Sequence, residues 1–290
     1  MANNINWGKI YESTAWGSGV TDNNISWGKS YADLAGGGGF TGLLDTYSGA
    51  AAAYSLRQLS STYSGNAIKV RRASDNAEQD IAFANNELDT ATLETFASGT
   101  DAFVTTWYDQ SGNGYDVVNA TAAEQPKIVS SGSTILENGK AVIEFANDAN
   151  FLQNTTFSGG SVYSLFAANK FIDNFYMYAL SVASTNNSFR NNGSTSFLRG
   201  TSDISYAQTI PTSQILFSFF QDSTSEIYNN GTLKVSGGNG SDNMQYITLS
   251  SRDQSISGGN KMQEFILYDS NQSANRTGIE TNINDYYSIY

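Results

Sequence analysis

The chain has 290 residues, which is enough for one large all-β domain or two domains of ordinary size. It carries 27 acidic and 15 basic side chains, and its net charge of −12 disfavours nucleic acid as a partner, because phosphate backbones reward clustered lysine and arginine. Cysteine and histidine are absent, which excludes disulfides, thiolate nucleophiles, Ser-His-Asp triads and Cys/His zinc sites.

The chain begins with a repeated phrase. The stretch "NNINWGKIYES" (3–13) is followed by "NNISWGKSYAD" (23–33), and four glycines stand at 36–39. Consecutive glycines maximise backbone freedom and are typical of a hinge. We therefore expect a repeated assembly or anchoring segment at 1–35, a glycine-rich hinge at 36–43 and one domain at 44–290.

Three of the four tryptophans lie in the first 35 residues. So short a piece cannot bury them by itself, so they either fold back onto the main domain or dock on another subunit. We favour docking, because tryptophan is enriched in interface cores. The expected assembly residues are Ile5, Trp7, Tyr11, Trp16, Ile25, Trp27 and Tyr31, and a homo-oligomer would suit them.

After the hinge, the alanine run within Ser48–Ser64 predicts a short helix. Many short apolar segments follow, separated by Asn, Gly and Ser, and 13% of all residues are aromatic, which favours strands. We predict strands within 67–74, 102–109, 140–146, 161–168, 175–183, 214–220, 244–251 and 262–269. A hairpin with Asn-Gly at its tip is expected within 225–236, and a short C-terminal helix within 271–290. The pattern indicates a sandwich or jelly roll.

Two segments carry a family resemblance. They are "LRQLSSTYSGNAIKVRRASDNAEQDIAF" (56–83) and "VTTWYDQSGNGYDVVNAT" (104–121). Together they resemble the catalytic domain of the fungal and bacterial α-L-arabinofuranosidase B family, and the chain's end is also similar to laminin-G-like lectin domains. The resemblance implies an all-β, concanavalin A-like jelly-roll sandwich, with one or two short helices and an extended N-terminal appendage.

The resemblance also implies a pair of carboxylates. It places the catalytic acid/base at Asp253, in "SSRDQS", and a nucleophilic glutamate on a mid-domain strand before it. No glutamate stands between Phe145 and Ser225, and Glu144 and Glu226 flank the gap. Asp173, Asp203 and Asp222 lie within it, and an aspartate side chain is one methylene shorter than that of glutamate. We therefore expect a domain that is not an enzyme, with Asp253 as the one weak catalytic candidate.

The "YDQSGNGYD" loop offers candidate ligand-binding residues. Asp109 and Asp116 either form turns by accepting from nearby N–H groups or, with loop carbonyls, bind Ca²⁺. Tyr108 and Tyr115 offer ring faces to a sugar, and Asp253 offers a carboxylate. Trp107, in contrast, is expected in the core. No other cofactor is expected.

The sequence leads to two functions of different classes. The first is a bacteriophage virion structural protein, as a capsid decoration, head fibre or tail component. It would be docked to other virion proteins through 1–35 and display a lectin-like sandwich to host glycans on the virion surface. No apolar run approaches the roughly 20 residues of a membrane span, and no signal peptide is recognisable, so neither membrane insertion nor a cleaved leader is expected. The alternative is an active, carboxylate-dependent, arabinofuranosidase-like glycoside hydrolase.

Overall fold

A computed structural model describes residues 39–146, 149–172, 176–180, 188–191, 195–199, 204–207, 211, 213–238, 243–251 and 259–290. The chain divides into two units between residues 41 and 42, and the second of them is the domain described here. The predicted assembly residues Ile5, Trp7, Tyr11, Trp16, Ile25, Trp27 and Tyr31, and the acids Asp173, Asp203 and Asp253, lie outside the described residues.

The first half of the domain contains thirteen described strands. They are β1 Ala52–Ser55, β2 Ile68–Arg72, β3 Glu78–Ile81, β4 Phe83–Ala84, β5 Glu87–Leu88, β6 Ala102–Trp107, β7 Val117–Val118, β8 Lys127–Ser130, β9 Ser133–Thr134, β10 Leu136–Glu137, β11 Lys140–Ala141, β12 Ile143–Phe145 and β13 Leu152–Asn154. Helix α1 (Leu43–Thr46) precedes these strands, and helix α2 (Thr90–Ala97) lies between β5 and β6.

The second half contains the longer strands. They are β14 Tyr163–Phe171, β15 Tyr176–Ala179, β16 Ser188–Asn191, β17 Thr195–Arg199, β18 Ile204–Ala207, β19 Ile215–Gln221, β20 Ser225–Asn229, β21 Thr232–Gly237, β22 Ile247–Leu249 and β23 Asn260–Tyr268. Helix α3 (Arg276–Tyr287) follows them. No described helix has the length and apolar content that a membrane crossing requires.

The strands form two packed layers, and every pairing among the described residues is antiparallel. In one layer β23 pairs with β1, β12 and β14, and β14 continues through β19 and β20 to β21. In the other, β3, β2, β6, β7, β13, β22, β15, β16, β17 and β18 follow one another. Strand β8 joins the layers by pairing with β6 and β12.

The main core lies between these layers, and a second core lies outside the β14 layer. Alternate residues of β14 explain this, because strand side chains point to opposite faces. Leu165 and Ala167 pack into the core between the layers, whereas Phe166 and Ala168 pack outward against Ile279 and other residues of α3. The predicted all-β jelly-roll sandwich with short helices is confirmed.

The predicted helix within Ser48–Ser64 is wrong, because the second half of its alanine run, Ala52 and Ala53, begins strand β1. All four β1 residues are buried, and Ala52 pairs with Leu267 of β23. Alanine's helix propensity is a weak preference that tertiary pairing overrides, and its small side chain fits a strand covered on both faces. Helix α2 was missed. The other predicted strands and the C-terminal helix are confirmed within a few residues.

The predicted hairpin is also confirmed. Strands β20 and β21 are joined through Asn230 and Gly231, whose φ angles are 50° and 69°. Both residues therefore occupy the left-handed region that a two-residue hairpin turn of this type requires.

Candidate functional site

The loop 108–116 is organised around the carboxylate of Asp109, which is 4% exposed. Its Oδ1 accepts from the N–H groups of Ala53 at 2.8 Å and Ser111 at 2.9 Å. Its Oδ2 accepts from Ser111 Oγ at 2.7 Å and from the N–H of Tyr115 at 3.0 Å. A carboxylate has about four acceptor sites, so the protein itself uses the acceptor capacity of Asp109.

The other candidate ligand residues of this loop make structural contacts as well. Asp116 is half-buried and accepts from the N–H of Asp109 at 2.8 Å, and burial, followed by the charge of Asp109, raises its pKa. The Tyr115 ring packs edge-on against Phe157 at 5.1 Å between centroids. Tyr108 donates to Asp80 Oδ1 at 2.6 Å. The loop thus brings Tyr108, Asp109, Tyr115 and Asp116 together, and each contributes to its architecture.

Trp107 belongs to the core, as predicted. It is fully buried, and its ring lies 6.0 Å from the ring of Tyr54. The indole therefore has no face available for a sugar.

Other residues of the two quoted segments hold the backbone in place. Arg57 makes a two-pronged ion pair with the fully buried Glu264, at 2.8 and 3.0 Å. Gln110 is 3% exposed; its Nε2 donates to the carbonyls of Ser55 and Arg57, and its Oε1 accepts from the N–H of Leu59. These residues fix β1 and the segment after it against β23.

The residues that flank Asp253 in the chain lie at one end of the sandwich. Asn260 is the first residue of β23 and pairs with both Phe145 and Phe171, the last residues of β12 and β14. Its side chain donates to Ser250 Oγ at 2.8 Å. Ser250 is buried with φ of 66°, a sparsely populated conformation for a residue other than glycine that often accompanies functional sites.

The connection after β14 leaves from the same end. The N–H of Ile172, the residue before Asp173, donates to the carbonyl of Gly259 at 2.8 Å. By contrast, Asp222 follows Gln221, which pairs with Tyr163 at the other end of β14. A nine-residue strand separates those ends by about 26 Å.

Glu144 lies near the end that contains Asn260, but it is engaged in an ion pair. It pairs across β12 and β23 with Lys261, and the Glu144 Oε2 to Lys261 Nζ distance is 3.3 Å. Lys261 also approaches Glu137, which pairs with Lys170 at 2.8 Å. The alternating charges neutralise one another on the sheet surface.

Two cavities among those that the described residues form are relevant to a ligand site. One, of about 230 Å³, is lined by loop residues Ser111 and Gly112 and by Tyr63 and Ser60, whose hydroxyls already bond to Asp109, Asn66 or Asp45. The other, of about 260 Å³, contains Glu87, Glu94, Lys140 and Tyr286. Those four residues come from separate segments, so no local spacing could have revealed them.

Asp109 and Asp116 are the predicted Ca²⁺ ligands of this loop. Within the part of the chain that the structure describes, no three Asp, Glu, His or Cys side chains cluster as a metal site would require. Asp109, moreover, already accepts four hydrogen bonds from the protein.

The fold and the two quoted segments, 56–83 and 104–121, together define a class of protein. A family model described as "Alpha-L-arabinofuranosidase B, catalytic" matches residues 45–188. A probable α-L-arabinofuranosidase B of Aspergillus fumigatus is 38% identical over 86 residues, which cover 27% of this chain and 17% of that protein. The domain is thus a β-sandwich resembling the arabinofuranosidase B catalytic domain.

Solved structures share the fold. A family GH54 α-L-arabinofuranosidase soaked with a cyclic sulfate inhibitor has a TM-score of 0.67 and 18% identity, covering 83% of this chain and 64% of that one. An arabinofuranosidase complexed with arabinofuranosyl-α-1,2-xylobiose has a TM-score of 0.61 and 18% identity, covering 81% and 62%. The chain therefore spans less than two thirds of the length of these relatives.

These matches correct two expectations. The predicted bacteriophage virion role, with its capsid, fibre or tail assignment, is wrong, because the matching family model and curated relative are arabinofuranosidases. The expectation that the protein is not an enzyme is wrong for the same reason, since the proteins that the chain resembles are arabinofuranosidases. Both expectations gave too much weight to the N-terminal repeat and the glutamate-free stretch. They gave too little weight to the family resemblance carried by residues within 45–188.

Proposed function

We propose that the protein is a carboxylate-dependent glycoside hydrolase that removes α-L-arabinofuranosyl groups from a neutral glycan. The observation that carries the proposal is the match of residues 45–188 to the arabinofuranosidase B catalytic family. The absence of histidine and cysteine agrees with it, because glycoside hydrolysis needs only two carboxyl groups.

The acid/base in this proposal is Asp253. The resemblance assigns it that role, and the described residues Ser250 and Gly259, which stand before and after it in the chain, lie at the end of the sandwich where β12, β14 and β23 meet. A general acid/base donates a proton to the leaving oxygen and then activates water.

The second carboxylate in this proposal is Asp173. Its neighbour Ile172 bonds to Gly259, so the segments carrying Asp173 and Asp253 leave the same end of adjacent strands. Asp222 lies beyond the opposite end of β14, about 26 Å from the end that carries Ile172, and Glu144 is paired with Lys261. A nucleophile must lie about 5–5.5 Å from the acid/base in a retaining enzyme, which favours Asp173 over both.

Hydrolysis of 4-nitrophenyl α-L-arabinofuranoside by the full chain tests the proposal. We expect Asp253→Asn to lower kcat/KM about 10³-fold, since acid/base catalysis contributes about 10²–10⁴-fold, and Asp173→Asn to lower it at least as much. Asp222→Asn is the matched control and should retain wild-type activity, because it removes the same charge at the opposite end.

Two results would contradict the proposal. If the folded wild-type chain released no nitrophenol from this substrate, the proposed activity would be refuted. If Asp253→Asn kept full activity, Asp253 would not be the acid/base. Loss of activity in Glu144→Gln with full activity in Asp173→Asn would instead move the nucleophile to Glu144.

A further inference from the structure

A cavity of about 260 Å³ lies where four elements meet: helix α2, hairpins β4–β5 and β10–β11, and the end of α3. We call it the Glu87 cavity. Its polar lining includes Glu87, Glu94, Lys140 and Tyr286, and its apolar lining includes Leu88 and Leu136. Its described lining residues all fall within 56, 87–94, 134–141 and 286–287.

The carboxylates of this cavity retain acceptor capacity. Glu87 pairs with Lys140 at 2.6 Å, yet half of its side chain is exposed. Glu94 is exposed, and its Oε1 accepts from the N–H of Thr134 at 2.9 Å. That backbone hydrogen bond lowers the pKa of Glu94, so it is ionised at neutral pH. Both residues can accept further hydrogen bonds from hydroxyl groups.

The walls of the cavity are held in place. Gln263 Nε2 donates to the carbonyls of Glu137, Lys140 and Ala141 at 3.0–3.2 Å, which fixes hairpin β10–β11. The Asp89 carboxylate accepts from the N–H and hydroxyl of Thr92 and so caps α2. A preformed site loses little conformational freedom on binding.

Two cations lie over the ring of Tyr286. The Arg57 guanidinium lies 4.7 Å from its ring centroid, and Lys140 Nζ lies 4.3 Å from it. The cation–π contacts orient the ring and the ammonium together. Lys140 therefore stands at a fixed position as the cavity's hydrogen-bond donor.

We propose that the Glu87 cavity binds one pentose unit of a neutral saccharide, as a binding site separate from the site of hydrolysis. The carboxylates of Glu87 and Glu94 accept from sugar hydroxyls, Lys140 donates, and Leu88 and Leu136 contact the C–H surface of the ring.

Size and charge select this ligand class. The cavity is smaller than the roughly 300 Å³ at which pockets for drug-sized ligands begin, which suits a single sugar ring. Two carboxylates against one ammonium leave it negative, and the chain's net charge is −12, so an anionic ligand is disfavoured. The choice of a pentose, and of arabinan as the probe, rests on the proposed function.

Binding of linear arabinan and L-arabinose to the Asp253→Asn variant, by affinity electrophoresis and calorimetry, tests the proposal without turnover. We expect Glu87→Ala/Glu94→Ala to weaken binding at least tenfold. The charge-matched control Asp222→Ala/Glu124→Ala, which removes two carboxylates elsewhere, should bind as its parent does. Glu87→Gln/Glu94→Gln, which keeps the side-chain shape, replaces the alanine pair if that pair does not fold.

The outcomes separate this site from the proposed activity. A tenfold loss confined to the cavity variants supports it, even if the wild-type chain hydrolyses nothing. Binding that the cavity variants leave unchanged, or that falls equally in the control, overturns it. If Glu94→Gln lowers arabinofuranoside hydrolysis to the level of Asp253→Asn, the chemistry lies in this cavity and a separate binding site is excluded.

Discussion

The loop 108–116 and the Glu87 cavity both present carboxylates, but they use them in opposite ways. Asp109 is buried and accepts four hydrogen bonds from its own chain. Glu87 and Glu94 are exposed along a cavity and keep open acceptor sites. A motif of acidic and hydroxyl residues therefore does not mark a ligand site by itself. A structural carboxylate differs from a ligand-binding one in whether hydrogen bonds from the protein itself already occupy its oxygens.

The largest effect should come from breaking the buried framework pair. Glu264→Gln leaves the Arg57 guanidinium, 8% exposed, without its counter-charge. Removing one partner of a buried ion pair costs about 3–5 kcal/mol, which urea denaturation would measure. The double variant Arg57→Met/Glu264→Gln removes both charges and should recover part of this stability. A loss no larger than that of Arg72→Met, whose pair with Asp75 is at the surface, would contradict a framework role.

Asp109→Ala should have the next largest effect. It leaves the N–H groups of Ala53, Ser111 and Tyr115 without their acceptor, and an unsatisfied buried donor costs about 1–3 kcal/mol. We expect a loss of about 3 kcal/mol in the free energy of unfolding. Asp75→Ala is the matched control, because that carboxylate also accepts a backbone N–H but at the surface. Similar losses in the two variants would show that burial does not set the difference.

The sequence predicted the strands better than the roles of their polar residues. Strands such as β14 and β23 contain apolar and aromatic stretches, whereas alanine has no strand signature, so the sequence around β1 predicts a helix instead. The loop 108–116 was recognisable as a motif, but residue type does not reveal that Ala53, 56 positions away, satisfies Asp109. The Glu87 cavity gathers residues 87, 94, 140 and 286, a juxtaposition that only tertiary structure creates.

Asp116 provides a smaller, pH-dependent contrast. Burial raises its folded-state pKa, so the folded chain holds this proton more tightly than the unfolded chain, whose aspartate pKa is about 3.9. The contribution of Asp116 to stability therefore decreases as pH rises above about 4. Asp116→Asn should abolish that decrease in unfolding experiments at a series of pH values.

Asp75 gives the control of opposite sign. Its pKa is lowered to about 2, first by the hydrogen bond from Arg72, so its contribution to stability is present above about pH 4 and is lost as pH falls towards 2. Asp75→Asn should remove a rise in stability between those values. The same pH slope in both variants would refute the assignment of opposite shifts.

The smallest effect on stability should come from Glu87→Ala, because half of the Glu87 side chain remains exposed in its ion pair with Lys140. Exposed ion pairs contribute about 0–1 kcal/mol. The midpoint of urea denaturation should therefore move little, and the dependence of the unfolding free energy on urea concentration should not change. Lys140→Met removes the other partner and should match it, apart from the loss of its contact with Tyr286. A loss above about 2 kcal/mol would exceed what an exposed pair supplies. Glu87 would then be framework like Asp109, and the cavity would lose the open carboxylate on which its sugar-binding role depends.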